Sequence, residues 1–179
     1  LIGEIINQTL CNVWWDEIDQ QLRLKVLRPR LPQIDAAPAT VDDAANIVAG
    51  KTSISDVPED RISEVWVYYN KIDPTGGDDE KNYARVRVKF DGDAESANEY
   101  NQVVIKKIFA RWLGAGSDAQ ALVLAIRLLQ RYRDTPKRFV FSVDAKDDSI
   151  RVADFLGFLH PDYVDFIGQP KPITLQITS

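Results

Sequence analysis

The side chains that could do chemistry are few and far apart in the sequence. The single histidine is His160, and the single cysteine is Cys11. One histidine without a cysteine pair cannot supply the three or four nitrogen and sulfur ligands of a zinc site. His160 precedes Pro161 in an apolar segment, which favours a packed or surface histidine over a catalytic one. Cys11 lies in the apolar stretch of residues 10–15, so we predict that it is a small core residue.

Nucleophile and nucleotide motifs are absent as well. No serine stands in a Gly-x-Ser-x-Gly elbow, and neither Gly-x-x-x-x-Gly-Lys-Ser/Thr nor Gly-x-Gly-x-x-Gly occurs. The nearest approach is Gly114-Ala115-Gly116, and two glycines before a helix are typical of a turn. We therefore predict no catalytic residues, no cofactor-binding residues and no metal ligands. The sequence favours a protein that is not an enzyme and needs no cofactor.

Acidic residues cluster in three segments, residues 73–80, 91–95 and 144–148. Carboxylate oxygens are the ligands that hard cations such as Ca²⁺ prefer, but none of the three segments has the spacing of an EF-hand loop. Solvated loops are the favoured interpretation. A calcium ion in one of these loops and a pair of carboxylates that hydrolyses a glycoside remain alternatives.

The clearest period-two pattern carries a row of basic residues. Arg85, Arg87 and Lys89 alternate with Ala84, Val86, Val88 and Phe90. Such alternation predicts a strand with one buried face and one basic face. The basic face is either an ordinary solvated sheet face or a contact for an acidic partner. Arg85, Arg87 and Lys89 are therefore the candidate residues for contact with a partner.

Composition limits the class of protein. The chain has 179 residues, of which 45% are hydrophobic and 27% charged, enough to fold as one large domain or two small ones. Its net charge of -5 argues against nucleic-acid binding, which needs a basic surface. No apolar run approaches the length that spans a bilayer. The chain starts at Leu1 and contains no Met, so we expect a segment of a larger polypeptide.

The hydrophobic pattern predicts several strands and one long helix. Residues 118–133 form the clearest helical pattern, with Ser117 and Gln120 at capping-box spacing. Its predicted buried stripe is Ala119, Leu122, Ile126, Leu129 and Tyr132. Strands are predicted at residues 13–16, 22–27, 61–72, 84–90, 139–143, 150–155 and 173–177, with turns at 18–20 and 147–148, and short helices at 1–10, 41–48 and 94–100. Residues 103–113 fit a strand or a helix, and the β-branched residues at their start favour the strand. This is the α+β class, with antiparallel sheets in a barrel-like or sandwich-like arrangement.

Three segments and five core residues complete the structural prediction. Residues 1–31 are predicted to form a small lobe of helix and β-hairpin, residues 32–60 a linker rich in proline, and residues 61–179 the main domain. The residues predicted to be largely buried are Trp66, Val86, Leu122, Ile126 and Phe141. Trp14 and Trp15 are also expected in the core, because they lie in a predicted strand.

Three stretches taken together resemble a known family. They are Val13-Trp14-Trp15-Asp16-Glu17 leading to Leu22-Arg23-Leu24-Lys25, then Asp60-Arg61-Ile62-Ser63-Glu64-Val65-Trp66-Val67-Tyr68-Tyr69 with Asp73-Pro74-Thr75, and then Arg131-Tyr132-Arg133-Asp134-Thr135-Pro136-Lys137-Arg138-Phe139. Their order and spacing resemble the tail-tip or baseplate hub proteins of tailed bacteriophages and prophages. The resemblance covers about residues 10–153 and consists of structural residues without a catalytic signature.

The resemblance implies the middle segment of a larger hub polypeptide. Such a hub is a homotrimer that joins the tail tube and the distal tail ring to the host-facing tip. Its partners would be other copies of itself and the distal tail and tail-tube proteins, in a virion assembled from protein made in the bacterial cytoplasm. Two alternatives remain, a tip module that binds a host receptor or glycan, and a cell-wall hydrolase, for which the sequence shows no convincing site.

Overall fold

The computed structural model describes residues 3–4, 6, 11–26, 30, 39–42, 45–48, 51–96, 100–144 and 150–178. These residues fold as α+β, so the predicted class is confirmed. They form two compact units. Unit 1 comprises Leu1–Cys11 and Asp56–Pro136, and unit 2 comprises Asn12–Ser55 and Lys137–Ser179.

The strands and helices lie between the following bounds. The strands are β1 (Cys11–Asp16), β2 (Gln21–Val26), β3 (Ala39–Asp42), β4 (Ser53–Asp56), β5 (Glu64–Lys71), β6 (Tyr83–Phe90), β7 (Ile105–Ala110), β8 (Lys137–Val140), β9 (Phe155–Leu159) and β10 (Ile173–Gln176). The helices are α1 (Gly92–Glu95) and α2 (Asp118–Tyr132), with 3₁₀ turns at Pro58–Asp60 and Glu80–Asn82. Sheets form from β1-β2, β10-β9-β3, β4-β8 and β6-β5-β7.

Unit 1 is built around β5, the middle strand of the sheet β6-β5-β7. β5 pairs antiparallel with β6 and parallel with β7. The run of apolar residues on both faces of β5 predicts an interior strand, and the sheet order confirms it. The parallel partner β7 confirms the predicted strand within residues 103–113, but its direction departs from the antiparallel pairing that we predicted.

Helix α2 covers one face of this sheet and supplies the core of unit 1. Its buried residues are Ala121, Leu124, Ala125, Leu128 and Leu129, which pack with Val65, Val67, Tyr69, Ile108 and Ala110. The helix itself is confirmed, but the predicted stripe is rotated. Leu122 and Ile126 are only half-buried and Ala119 is exposed, because the helix turns the neighbouring positions toward the sheet.

Polar contacts at the first residue of α2 tie the helix to both strands beneath it. The hydroxyl of Tyr69 donates to Asp118 at 2.7 Å, and the guanidinium of Arg87 lies 3.2 Å from the other Asp118 oxygen. This hydrogen bond to Asp118, together with burial, raises the pKa of Tyr69. The predicted cap is not formed, since Ser117 makes no side-chain hydrogen bond to the helix. A carboxylate in the first turn also interacts favourably with the helix dipole.

Ser63 fixes the edge of the sheet at which β5 and β7 begin and β6 ends. It is fully buried, and its hydroxyl accepts a hydrogen bond from the amide of Val104 at 2.8 Å. Its own amide donates to the carbonyl of Val104, and its carbonyl accepts from the amide of Asp91. One residue therefore connects the entry to β5 with the exit from β6 and the entry to β7.

Unit 2 is centred on β9, which lies between β10 and β3. Leu156 and Phe158 of β9 are buried with Val41 and Ile47, and the half-buried Phe139 and Phe141 pack against them. Phe158 lies edge-on to Phe139 with ring centroids 5.5 Å apart. β3 runs parallel to β9 and β10 runs antiparallel to it, which confirms the predicted closing strand near residues 173–177.

The β1-β2 connection has a polar turn. The buried carboxylate of Asp16 accepts from the amides of Ile18 and Asp19 and from Arg23. These contacts, led by the amide of Asp19, lower the pKa of Asp16. The predicted strand, turn and second strand are confirmed, and Cys11 at the start of β1 is buried as predicted.

Several predicted elements are wrong or displaced. Residues 41–42 belong to β3 and Ile47 bridges Val143, so the predicted helix at 41–48 is wrong: the β-branched Thr40 and Val41 pair with β9 instead. Residues 150–154 are not a strand, and β9 starts only at Phe155. The helix predicted at 94–100 is displaced: α1 spans Gly92–Glu95, and it starts where Asp91 accepts from the amides of Asp93 and Ala94.

Some predictions fall on parts of the chain outside the described residues. The turn at 147–148, the end of the second predicted strand at 27–29, residues 97–99 of the predicted helix at 94–100, and residues 32–38, 43–44 and 49–50 of the predicted linker lie there. Of residues 1–10, only Gly3, Glu4 and Ile6 are described, and all three are helical. The two observed units cut across the predicted segments, because unit 2 combines strands from both sides of unit 1 in the sequence.

The predicted core list was largely wrong. Val86 is exposed, and Trp66, Leu122, Ile126 and Phe141 are half-buried. Trp14 is half-buried and Trp15 is exposed. Alternation and helical spacing indicate which residues share a face, but they do not indicate which face the rest of the chain covers.

We expect Leu128→Ala to lower the free energy of unfolding by about 2–5 kcal/mol, because it removes a buried side chain and leaves a cavity beneath α2. Leu122→Ala should cost less, since Leu122 is only half-buried. The exposed Gln130→Ala is the control and should change stability by about 0.5 kcal/mol or less. Equilibrium urea unfolding of the three variants measures this. Equal losses for Leu122→Ala and Leu128→Ala would contradict the observed packing of the helix.

Candidate functional site

The register of β6 against β5 determines where each β6 side chain points. Arg87 lies opposite Val67 and Lys89 opposite Val65, so the basic row shares the face that α2 covers. Val88 lies opposite Trp66 and Val86 opposite Tyr68, so the apolar row shares the other face. The predicted strand is confirmed, but its predicted buried face is wrong. We call the face with the apolar row the open face.

The basic row is exposed, although it is on the helix side of the sheet. Arg85, Arg87 and Lys89 are all exposed to solvent. Arg87 pairs with Asp118, and a hydrogen bond from Arg85 to Tyr69 partly opposes the upward shift of the Tyr69 pKa. Two of the three residues predicted to contact a partner therefore also hold the start of α2 in place.

The open face presents large apolar side chains to solvent. Val86 is 45% exposed, Val88 40%, Phe90 62% and Ile105 43%. Beneath them, Tyr68 stacks on Phe109 with ring centroids 5.3 Å apart, and Trp66 lies 6.5 Å from Tyr68. A contiguous apolar patch on a folded protein often marks a site of protein interaction. The sequence indicated that the β6 side chains share a face, and in the described part of the chain no element covers Val86, Val88 and Phe90 on that face.

The charges on the open face are compensated locally. The ammonium of Lys107 lies 2.5 Å from Glu80 and 5.8 Å from the ring centroid of Trp66. The indole of Trp66 donates to Glu64 at 2.7 Å. The hydrogen bond between Lys107 and Glu80 raises the pKa of Lys107 and lowers that of Glu80. A surface of this kind suits a partner with an apolar face better than a strongly charged ligand.

In the acidic loop between β5 and β6, the side-chain oxygens of Asp73 and Asp79 accept hydrogen bonds from neighbouring groups of the same loop. Asp73 accepts from the amide and hydroxyl of Thr75, and Asp79 accepts from the amides of Lys81 and Asn82. The side-chain amide of Asn82 donates to the carbonyls of Asp73 and Gly77. Within the described residues, no group of three or more histidine, cysteine or carboxylate side chains is placed to hold a metal ion.

Asp78 connects this loop to the sheet. It accepts 2.7 Å hydrogen bonds from the ammonium of Lys71, which is almost fully buried, and from the hydroxyl of Tyr83. The contact with Lys71, followed by that with Tyr83, lowers the pKa of Asp78. Burial, followed by the bond to Asp78, raises the pKa of Tyr83. These three groups hold together the ends of β5 and β6.

His160 lies in an aromatic cluster of unit 2. Its ring stacks on Phe158 with centroids 5.7 Å apart, and Tyr163 lies 6.3 Å away. Its Nδ1 atom accepts from the amide of Asp162 at 3.2 Å. The histidine is half-buried and its Nδ1 is occupied by a backbone contact, which is the geometry of a packed side chain.

Ala45 stands five residues before Gly50-Lys51-Thr52, which gives a degenerate form of the phosphate-loop spacing. A phosphate loop needs a helix directly after its lysine, since the amides at the helix start face the phosphate. Here β4 follows Lys51 and Thr52, and Ile47 bridges Val143. The described backbone therefore does not have the strand-loop-helix geometry of a phosphate site.

A second exposed apolar feature, which the sequence analysis did not single out, lies in unit 2. Phe166 is 99% exposed at the tip of a turn, next to the exposed Ile167. The carboxylate of Asp165 accepts from the amides of Ile167 and Gln169, and Gly168 takes the positive φ of 81° that closes the turn. In the sequence, the signal that could have identified this turn is two large apolar residues followed by a glycine.

Comparison with known proteins adds no assignment. No family model matches the sequence, and a search of curated proteins found no match. Within the described residues, no helix combines the length and the apolar composition needed to cross a membrane.

We expect Asp78→Asn to lower the free energy of unfolding at pH 7. The free energy of unfolding of this variant should also change less as the pH is lowered. Because the folded-state pKa of Asp78 is lowered, its stabilising contribution is present above the unfolded-state pKa of about 4 and is lost as the pH falls further. Urea unfolding between pH 7 and pH 3 measures the difference. Lys71→Met removes the main partner and should reduce the same acid-dependent component. An unchanged pH profile in both variants would contradict the role assigned to Asp78.

Proposed function

We propose that this chain is a structural module of a phage or prophage tail tip, a segment of the baseplate hub that joins the tail tube and distal tail ring to the host-facing tip. The observation that carries the proposal is the open face, where a sheet next to an exposed basic row leaves its apolar side chains uncovered. Exposed apolar area of this kind fits a chain that binds other protein chains.

The positions that carry the family resemblance have structural roles in this fold. Residues 13–16 and 22–25 lie in β1 and β2, and residues 64–69 lie in the central strand β5. Ser63, directly before β5, joins three strands, and Tyr69 within β5 holds the start of α2. These roles support a module whose resemblance to hub proteins concerns architecture and assembly.

The expected partners are other copies of the chain, in a trimer, and the distal tail and tail-tube proteins. In a ring of identical subunits each interface joins two different surfaces of the molecule. The open face and the tip at Phe166 are two apolar surfaces that differ in shape, one a sheet face and the other a projecting turn. An interface divided among several such surfaces would be weak in any single module and stable in the full-length hub.

A second candidate is a tip module that binds a host receptor or glycan. The exposure of Trp15 and Trp112 favours it, because sugar rings stack on exposed indole faces. Titration of the protein with host-wall oligosaccharides, followed by tryptophan fluorescence, tests this function. If it is correct, Trp15→Ala or Trp112→Ala should abolish the fluorescence change. A flat titration with the wild-type chain would reject it.

For the hub proposal, we expect antibodies against this chain to label the tail tip of intact tailed particles in negative-stain electron microscopy. Labelling along the tube, on the capsid or on no part of the particle would contradict the assignment. Antibody that has been pre-adsorbed with the purified chain is the control for specific labelling.

We also expect the isolated chain to be monomeric or weakly associated and the full-length parent to form a closed oligomer. The reason is that one module contributes only part of the buried area that holds a ring together. Light scattering of both proteins at micromolar concentration measures the masses. A full-length parent that stays monomeric would reject the hub proposal and favour the binding module.

A further inference from the structure

The outer edge of β6 is uncovered. β6 is the end strand of the sheet β6-β5-β7, and no described strand pairs with its outer side. Seven of its eight residues are exposed to solvent. An edge strand carries a row of backbone amides and carbonyls that point away from the sheet and can pair with another chain. Eight residues exceed the usual strand length, so the edge is long enough for a full strand pair.

We infer that this edge accepts an extended segment of a partner protein as a fourth strand, and that the segment alternates acidic and apolar side chains. The inference deepens the proposed function, on which it rests for the existence of a protein partner. It names the edge through which that partner binds and the chemistry that selects it.

The two rows of β6 determine the chemistry of the incoming strand. In paired strands, directly opposed side chains share a face and lie about 5 Å apart at their Cβ atoms. On the α2 side the incoming residues meet Arg85, Arg87 and Lys89, which carboxylates complement. On the open face they meet Val86, Val88 and Phe90, which β-branched or aromatic residues complement. Backbone hydrogen bonds would supply affinity and the two rows would supply selectivity.

The same rows argue against a second copy of β6 as the occupant. Whichever direction it runs, a second β6 that keeps its apolar row on the open face would place arginine and lysine beside arginine and lysine. Like charges directly opposite one another destabilise a strand pair. Basic residues on an edge strand therefore oppose self-association while leaving the edge open to an acidic strand.

The other edge of the sheet is less suited to this role. β7 has six residues, and Ile108 and Ala110 are buried. Its two lysines are adjacent in sequence, at 106 and 107, so they point to opposite faces of the sheet and form no continuous basic row. Only β6 combines length, exposure and separate charged and apolar rows among the described strands of this sheet.

The test uses two blocked peptides and the wild-type chain. The probe is TEVEVEVT, and the matched control TKVKVKVT reverses its charge while keeping its apolar row. We expect the glutamate peptide to bind and the lysine peptide to bind at least about tenfold more weakly, because three opposed pairs change from attraction to repulsion. Isothermal titration calorimetry measures affinity. Hydrogen exchange should show new protection of amides between residues 83 and 90.

A charge-swapped variant gives a second measurement. R85E/K89E should weaken binding of the glutamate peptide and strengthen binding of the lysine peptide, because the variant reverses the charge at two of the three basic positions on β6. R127E/K171E changes the net charge by the same amount at two exposed positions outside β6 and should preserve the wild-type preference. Circular dichroism of both variants establishes that each is folded, and the wild-type comparison of the two peptides needs no variant.

Three results would overturn the inference. These are equal binding of both peptides, no binding of the glutamate peptide at millimolar concentration, and protection by hydrogen exchange outside β6. The outcome is separable from that of the hub proposal. If the full-length parent assembles but binds no peptide, only the strand-addition inference is rejected. If the parent is monomeric and its β6 edge binds the peptide, only the hub proposal is rejected.

Discussion

Packing of α2 on one face of the sheet β6-β5-β7 is the interaction on which the rest of unit 1 depends. Leu124 and Leu128 bury against β5, and each such side chain contributes about 1.5–3 kcal/mol through removal from water. One helix covers one face of three strands. The opposite face must therefore remain exposed unless another element covers it, and Val86, Val88 and Phe90 show that it does remain exposed. The candidate interaction surface is thus a direct consequence of how this unit builds its core.

Polar contacts then fix the register that the apolar core alone would leave adjustable. Ser63 joins the ends of three strands, and Asp118 is held by Tyr69 from β5 and Arg87 from β6. Register matters here because a shift of one residue along a strand exchanges its two faces. Such a shift in β6 would move the basic row to the open face and the valines beneath α2. The contacts that appear structural therefore also determine which chemistry each face of β6 presents.

The sequence predicted the elements better than their surroundings. The α2 helix and the strands β5, β6 and β10 follow from local periodicity, so they were predictable. The orientation of α2 was not, because Leu122 and Leu124 are both apolar and only the position of the sheet distinguishes them. The parallel pairing of β3 with β9 joins residues more than a hundred positions apart, and no local pattern encodes it. Within the candidate site, the alternation of β6 was evident, but the assumption that its apolar row is buried was wrong.

An exposed edge with an apolar face is normally a hazard, since it invites pairing with any extended chain. β6 reduces this hazard with charge, because every second residue from 85 to 89 is basic. Purely apolar strands then gain no charge pairing on the helix side, and strands with a basic row are repelled. Arg87 keeps its ion pair with Asp118, so part of the row stays fixed in position instead of sampling many rotamers. A partner carboxylate would meet an arginine whose conformation is already restricted, which lowers the entropy lost on binding. The contact that positions α2 and the contact that would select a partner therefore share one side chain, and stability and recognition are coupled at Arg87.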